Sequence, residues 1–491
     1  MPAHHYIAID LGAESGRVML GCLRDGVLSL EEVHRFSNSP VRMEGGIHWD
    51  TMRLWEEIKA GLRLVAGRGL AVAGIGVDSW GLDYVLMGRG SPMLRVPYCY
   101  RDARTEAVYP GLLGQVGKSE IYRLTGTQFM PINTLYQLAA EQRQEPEQLG
   151  QAERFLMIGD WFQFLLCGRA AQEESNASTT QLWNPRKREW SEELIAAAGL
   201  PRRIFPEVVP PCTMLGRLGA DVRQETGLGE MDVVAGCVHD TGAAVAAVPA
   251  EGKGWAYLSS GTWSLIGVEL QEPLICEAAR EANFTNETGV GGTSRFLRNA
   301  SGLWILQECR RAWARAGREM DYGDLTQLAI EAEPFRSLVN PDDPRFLRPD
   351  EMLDAVRDFC RETGQPEPAT PGQYARCAIE SLALLYAQVM EQLERVTGEK
   401  LDTLHIVGGG SKNRLLNQLT ADATGRTVVA GPVEAAAAGN VLLQALTPGQ
   451  IGTHAELRRI IRASFPVEKY LPNHTADWRD ALGRFGRLQE S

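Results

Sequence analysis

The chain has no Cys-x-x-Cys pair among its nine cysteines, and these do not group with its eight histidines. Such dispersal excludes the familiar zinc and dithiol frameworks, so most of the cysteines read as small core residues. No apolar run reaches the roughly 18 residues that a membrane span needs. The N-terminal stretch lacks the basic-then-apolar layout of a secretory leader. Positive charge is also short, with 50 Lys and Arg against 62 Asp and Glu for a formal charge of -12. A broad polyanion-binding face is excluded on that balance, and neither nucleic acid nor a membrane is an expected partner. The G-x-x-x-x-G-K-[ST] phosphate loop is missing too. Cytoplasmic residence is the expectation. Cys360 and Cys377 flank the Pro-rich turn at residues 366–371 and can come close enough to bridge, but a reducing compartment disfavours that bridge.

What is present is a set of strand ends that deliver acids into glycine turns. At 491 residues the chain exceeds one ordinary core, so two domains of roughly 200 to 250 residues are expected. The boundary falls between Gly236 and Gly254, giving domains 1–245 and 246–491. Tyr6 to Leu11 and Arg17 to Leu23 read as strands about a turn, with Val27 to Phe36 as a third. Asp50 is placed to cap a helix through Leu64, and Leu70 to Val77 returns as a buried strand ending at Asp78. This alternation predicts a layered α/β domain. Helices are predicted over 134–143, 158–166 and 374–396, the last with a core stripe of Ile379, Leu382, Ala383 and Tyr386. The span 334–371 reads as a partly exposed helical excursion, and the Ser-, Thr- and Asn-rich stretch from Glu174 to Leu182 as a surface or cleft-edge loop.

Three acid-glycine segments suggest nucleotide-dependent transfer. In A-I-D-L-G-A-E-S-G-R, Asp10 ends a strand, Gly12 and Gly16 permit close backbone approach, and Arg17 can face phosphate oxygens. Asp10 is the candidate Mg2+ ligand, with Asp78 of V-D-S-W-G orienting the same ion or a sugar hydroxyl; both can equally tie down their own turns. In H-D-T-G, Asp240 can take a proton from an attacking hydroxyl, or it can cap the helix that follows. Thr262 in S-S-G-T-W-S suits a phosphate or a plain β-turn. Gly408 to Gly410 leave room for a nucleotide at a helix entrance, or make a packing turn. Trp80 and Asp83 can offer a sugar an apolar wall and a polar edge. Asn299, Gln307 and His239 suit hydroxyl or nucleotide contacts and equally ordinary structural hydrogen bonds. The second half repeats the logic of the first, a strand and a glycine turn at 254–263 and another at 404–411.

The segments D-L-G-A-E-S-G-R, V-D-S-W-G-L-D-Y, Y-R-D, H-D-T, S-S-G-T-W-S, N-A-S-G-L-W-I-L-Q-E and H-I-V-G-G-G-S-K-N occur in this order along nearly the whole chain. Together they resemble the FGGY carbohydrate kinases, and within them those acting on L-rhamnulose. The resemblance implies two ribonuclease H-like domains of the sugar kinase, heat-shock protein 70 and actin superfamily, with a cleft for ATP, Mg2+ and sugar between them. It implies transfer of the ATP γ-phosphoryl group to the 1-hydroxyl of L-rhamnulose, by a monomer or weak homodimer. Residue by residue, Asp240 then matches the catalytic base. Gly81, His239, Asp240, Thr241 and Asn299 match substrate contacts. Ala13, Glu14, Ser15, Gly16, Arg17, Thr262, Gln307 and Gly410 match the ATP site. Glu14 departs from the small hydroxyl residue common there and is expected to point outward or help organise the metal. Fuculose, xylulose or glycerol kinases of the same family, and a non-catalytic sugar or nucleotide sensor, are the alternatives.

Overall fold

A tight turn between two antiparallel strands starts each of two mixed sheets. The computed structural model of the chain describes residues 3–43, 45–347, 351–473 and 475–489. In the first sheet the strand order is Thr213–Arg217, Asp232–Ala235, Val72–Ser79, His4–Leu11, Ser15–Arg24, Val27–Ser37. His4–Leu11 runs antiparallel to Ser15–Arg24 and parallel to Val72–Ser79. Its Ile7, Ala8, Ile9 and Leu11 are buried without interruption, as expected of a strand covered on both faces.

The second sheet repeats this order with Glu468–Tyr470, Thr427–Ala430, Thr403–Val407, Trp255–Ser260, Trp263–Leu270 and Ser294–Ser301, and adds Thr285–Thr288 as a seventh strand beyond Ser294–Ser301. Here too the founding strand, Trp255–Ser260, is antiparallel to the strand after its turn and parallel to Thr403–Val407. The likeness of the two glycine-turn regions noted in the sequence is therefore a likeness of topology.

The chain forms two compact units. The first comprises Met1–Pro249, Glu269–Phe296 and Ala435–Phe465; the second comprises Ala250–Val268, Leu297–Glu434 and Pro466–Ser491. In the first, Asp50 accepts a hydrogen bond from Arg53 N and starts the helix Thr51–Ala66. The helices Thr134–Gln144 and Ile158–Cys167 stand where the pattern predicts them. The stretch expected as a surface or cleft-edge loop is not on the surface: Glu174, Ser175, Asn176, Ser178, Thr179 and Gln181 are all buried, and Glu174–Ala177 is a short helix. Most of its polar side chains are hydrogen-bonded inside the protein, Asn176 Oδ1 excepted, which is why a hydrophilic composition tolerates burial here.

In the second unit the long helix Pro371–Thr397 opens with a reciprocal Thr370–Gln373 capping box and buries Ile379, Leu382, Ala383 and Tyr386. The span before it carries the helix Met352–Glu362, buried through Met352, Val356, Phe359 and Cys360; residues 348–350 of that span lie outside the described residues. Cys360 and Cys377 are buried free thiols. Among the described residues, no helix is long and apolar enough to cross a membrane.

Candidate active site

Three strand ends in the first unit bring Asp10, Asp78 and the His239–Asp240 turn together. Asp10 and Asp78 are partners in register on adjacent parallel strands. Ser79 N donates to Val238 O over 2.8 Å, carrying the pairing one step further to the turn that holds Asp240. Across the other edge Asp10 faces Arg17, and the two form an ion pair. The Arg17 guanidinium thus lies on Asp10 rather than standing clear for phosphate. Gly16 is small for a packing reason, since a Cβ there would meet the Phe36 ring at 2.2 Å. The turn bearing Ala13, Glu14 and Ser15 is closed by Gly12 N to Ser15 O at 2.9 Å and pinned by Asn38, whose N donates to Glu14 O at 2.9 Å. Ala13, Glu14 and Ser15 are each half-buried.

Asp78 is wholly buried, and burial, followed by the neighbouring Asp10 charge, pushes its carboxyl well above the usual carboxylate range. Asn440 Nδ2 donates to Asp78 Oδ2 over 2.6 Å. Gln444, one helical turn on, donates to Asn440 Oδ1 at 2.7 Å and to Ile7 O at 2.9 Å. Asp78 Oδ1 is buried with no hydrogen-bond partner. A carboxylate oxygen left bare beside a second carboxylate suits a cation that takes oxygen donors and keeps waters. Among the described residues no group of three or more His, Cys, Asp or Glu could hold a metal ion, so Asp10 and Asp78 would have to share it with ligands from a substrate.

Asp240 is not the cap of the helix Asp240–Ala246, as one reading of the sequence had it; His239 is the N-cap and Asp240 the first helical residue. Its Oδ1 accepts from Thr241 N at 2.5 Å and Thr241 Oγ1 at 3.2 Å, and faces His239 Nε2 at 3.6 Å, so that Oδ2 stands outside these contacts. Desolvation raises its pKa, while the adjacent His239 acts to lower it. His239 is itself held on the Nδ1 side, 3.1 Å from Glu287 Oε2 and 3.4 Å from Arg295 Nη2; Arg295 is fully buried and pairs with Glu287 at 3.1 Å.

The Gly81 loop is built on a buried carboxylate. Asp83 Oδ2 accepts from Trp49 Nε1 at 2.6 Å, Trp80 Nε1 at 3.0 Å and Tyr100 N at 3.2 Å, and Oδ1 accepts from Gln137 Nε2 at 3.0 Å. Asp83 is consequently an internal brace, not the polar edge offered to a sugar that its sequence position suggests. Burial still lifts its pKa to about 6. Leu82 is held in the left-handed region at φ 75°, a strained conformation for a non-glycine residue. Gly81 packs on Thr179, where a Cβ would lie 3.0 Å from Oγ1.

In the second unit another set of predicted residues converges. The turn at Gly261 and Thr262 accepts backbone hydrogen bonds from Leu303 N and Gly302 N at 3.0 and 3.1 Å. Gln307 follows on the helix Trp304–Arg315, buried, with Oε1 lacking a hydrogen-bond partner. Gly410 packs against the same turn from the other strand end, so closely that a Cβ would lie 2.0 Å from Ser260 Oγ. Asn299 is half-buried on Ser294–Ser301.

The sequence reading passed over Glu173, Ser175, Asn440, Glu287 and Arg295. Asn440 and Gln444 did carry a signal, as the two polar residues four apart in the otherwise apolar stretch A-A-A-A-G-N-V-L-L-Q-A-L.

Paired glycine-turn sheets with a carboxylate cluster at the strand ends are the equipment of a phosphotransferase. The model of the FGGY family of carbohydrate kinases, N-terminal domain, matches residues 5–247, and that of the C-terminal domain matches 256–447. The chain belongs to the FGGY family of carbohydrate kinases. It is 45% identical to the rhamnulokinase of Bacteroides thetaiotaomicron over 481 residues, 98% of each chain. It is 42% identical to that of Pectobacterium atrosepticum, over 100% of this chain and 97% of the other. Among solved structures, a ligand-bound xylulose kinase from Lactobacillus acidophilus superposes with a TM-score of 0.81 at 16% identity, covering 99% of this chain and 98% of that one. Plasmodium falciparum glycerol kinase with ADP gives 0.77 at 15% identity, again over 99% and 98%. At such identities these two establish the fold, a two-domain α/β kinase fold.

Proposed function

We propose that the protein transfers the γ-phosphoryl group of ATP to the 1-hydroxyl of L-rhamnulose, giving L-rhamnulose 1-phosphate and ADP. The observation that carries the chemistry is Asp240: one carboxylate oxygen is held by Thr241, and the side chain keeps partial exposure. The choice of acceptor is supported by the rhamnulokinases that the chain matches along nearly its whole length.

In this reading Asp240 Oδ2 takes the hydroxyl proton as the sugar oxygen attacks the terminal phosphorus. The raised pKa of Asp240 makes it a stronger base than an exposed aspartate. Gly81, His239, Thr241 and Asn299 would hold the sugar. Residues 13–17, Thr262, Gln307 and Gly410 would serve ATP, the glycines by leaving room and Arg17 by neutralising the Asp10 carboxylate beneath the phosphates. Asp10, with Asp78 beside it, would hold Mg2+, whose chemistry here is to offset the charge of the phosphate oxygens. Fixed placement of acceptor, base and phosphate would supply most of the acceleration. The protein would act in the cytoplasm, as a monomer or weak homodimer.

The test is Mg2+-dependent ADP release with L-rhamnulose, against a no-sugar control, with the product identified by mass. L-Fuculose, D-xylulose and glycerol are run in parallel. Acceptor-dependent ADP with L-rhamnulose 1-phosphate is the expected result. A higher kcat/KM for another of these acceptors overturns the sugar assignment, and failure of all four in a folded, ATP-binding preparation overturns the enzyme reading.

A further inference from the structure

The buried polar stretch that composition had placed on the surface or at a cleft edge, with Glu173 before it, touches the Gly81 loop, the strand at Thr288 and the backbone at Val238 and His239. Thr179 packs against Gly81. Ser178 Oγ accepts from Thr288 N at 2.9 Å, next to Glu287. Glu173 and Ser175 engage the backbone that leads into Asp240. Glu173 Oε2 accepts from Val238 N at 2.8 Å, and Glu173 Oε1 from Ser175 N at 2.7 Å. Ser175 Oγ hydrogen-bonds Glu173 Oε2 and accepts from His239 N at 3.1 Å. Two successive amides, Val238 and His239, are thus received by one carboxylate and the hydroxyl it orients, both buried completely. Without them these N–H groups would be orphaned at the point where the chain turns from strand to helix, a penalty that buried donors do not bear cheaply.

We infer that Glu173, acting through its carboxylate and through Ser175, is a positioning residue for Asp240, fixing the turn from which the proposed base projects. The inference rests on the kinase reading above. Every contact made by the Glu173 carboxyl is with a donor, so the clamp operates in the ionised form. Burial is the main cause that moves its pKa up, to about 7. The groups facing it are acidic or neutral. Asp160, on Ile158–Cys167, accepts from Glu173 N at 2.8 Å and is itself pushed well above its usual range by burial. Glu174 is paired with Arg188. The Cys212 and Cys237 thiols are raised by burial first and by Glu173 second. His239 lies beyond Ser175. Among the described residues no cation pairs with the Glu173 carboxylate, whose charge is held by hydrogen bonds.

Glu173→Gln and Ser175→Ala test this in the full-length protein. Glutamine offers an NH2 where a donor must be received, and alanine removes the acceptor for His239 N. Each variant is expected to keep its fold, to lose about 10²-fold in kcat through misplacement of the turn, and to leave the KM for ATP unchanged. Wild-type kcat should fall as pH drops through about 7, and that limb should vanish in Glu173→Gln while any lower limb belonging to Asp240 persists. Amide exchange at Val238 and His239, read by mass spectrometry without substrate, should quicken in both variants. Wild-type kcat in either folded variant, or an unaltered acid limb in Glu173→Gln, overturns the inference. If Glu173→Gln does not fold, Ser175→Ala decides the matter alone. If the wild type proves to use a different acceptor, the sugar assignment fails while the exchange measurement still tests the clamp.

Discussion

Asp10 and Asp78 stand side by side in register on neighbouring parallel strands, yet only one of them has a cation. Arg17 neutralises Asp10, whereas Asp78 is met by a neutral amide from Asn440 and keeps one oxygen bare. Replacing Asn440 with Leu should leave Asp78 with no donor and cost about 1–3 kcal/mol of stability. A fall in thermal midpoint at neutral pH, restored in part by the companion change Asp78→Asn, would be the mark of that contact.

The base assignment predicts that Asp240→Asn keeps the fold and the Thr241 contacts but lowers kcat by about 10²- to 10⁴-fold. Coupled ADP assay alongside a melting curve separates lost chemistry from lost structure. Wild-type-like turnover in a folded, ADP-free preparation of the variant would refute the assignment.

Gly439 sits where the helix Ala435–Leu446 crosses the helix that begins at Asp240, and a Cβ there would lie 1.9 Å from Ala243 O. Backbone cannot yield as a flexible side chain does. Gly439→Ala should therefore destabilise by about 1–3 kcal/mol and depress kcat by shifting the Asp240 helix, both read against the wild type in one preparation.

Gly410→Ala should weaken nucleotide binding, because its Cβ would collide with Ser260 Oγ. That obstacle is a side chain, so Ser260→Gly in the same protein should restore much of the loss. A double-mutant cycle on the ATP dissociation constant measures the coupling; additive effects would show that Gly410 matters for another reason.

Asp83 makes a prediction about pH. Its carboxyl ionises near 6 in the folded protein and near 3.8 when exposed. Over that interval the folded state binds more protons at this group than the unfolded one, so the contribution of Asp83 to stability is greatest below about pH 4 and is lost as pH rises through about 6. For a group this buried the contribution is about 3 kcal/mol. Asp83→Asn cannot release a proton, and its unfolding free energy should vary less with pH over the same interval. Denaturant titrations at several pH values compare the two slopes.

The strand ends at Asp10, Asp78 and Asp240 were legible because a short apolar run followed by Asp and Gly is a local pattern. The repeat of topology was legible for the same reason. The fate of Glu174 to Leu182 was not, since its burial depends on His239 and Thr288, whose amides Ser175 and Ser178 receive from far along the chain, and on Glu173 just before it, which receives that of Val238. Nor could composition reveal that Asp83 faces two indoles instead of solvent. Arg17 lay nearer to reach: a hairpin closed between Gly12 and Ser15 sets residues 10 and 17 opposite one another by counting alone.

The first unit is finished by residues 435–465, which follow most of the second in the chain. A ribosome therefore releases Asp10, Asp78 and Asp240 early but withholds Asn440, Gln444 and the Gly439 crossing until residues 297–434 of the second unit have been made. A nascent chain has its acids before it has their setting, and a C-terminal truncation removes the amide that Asp78 relies on as surely as a substitution at Asn440 would.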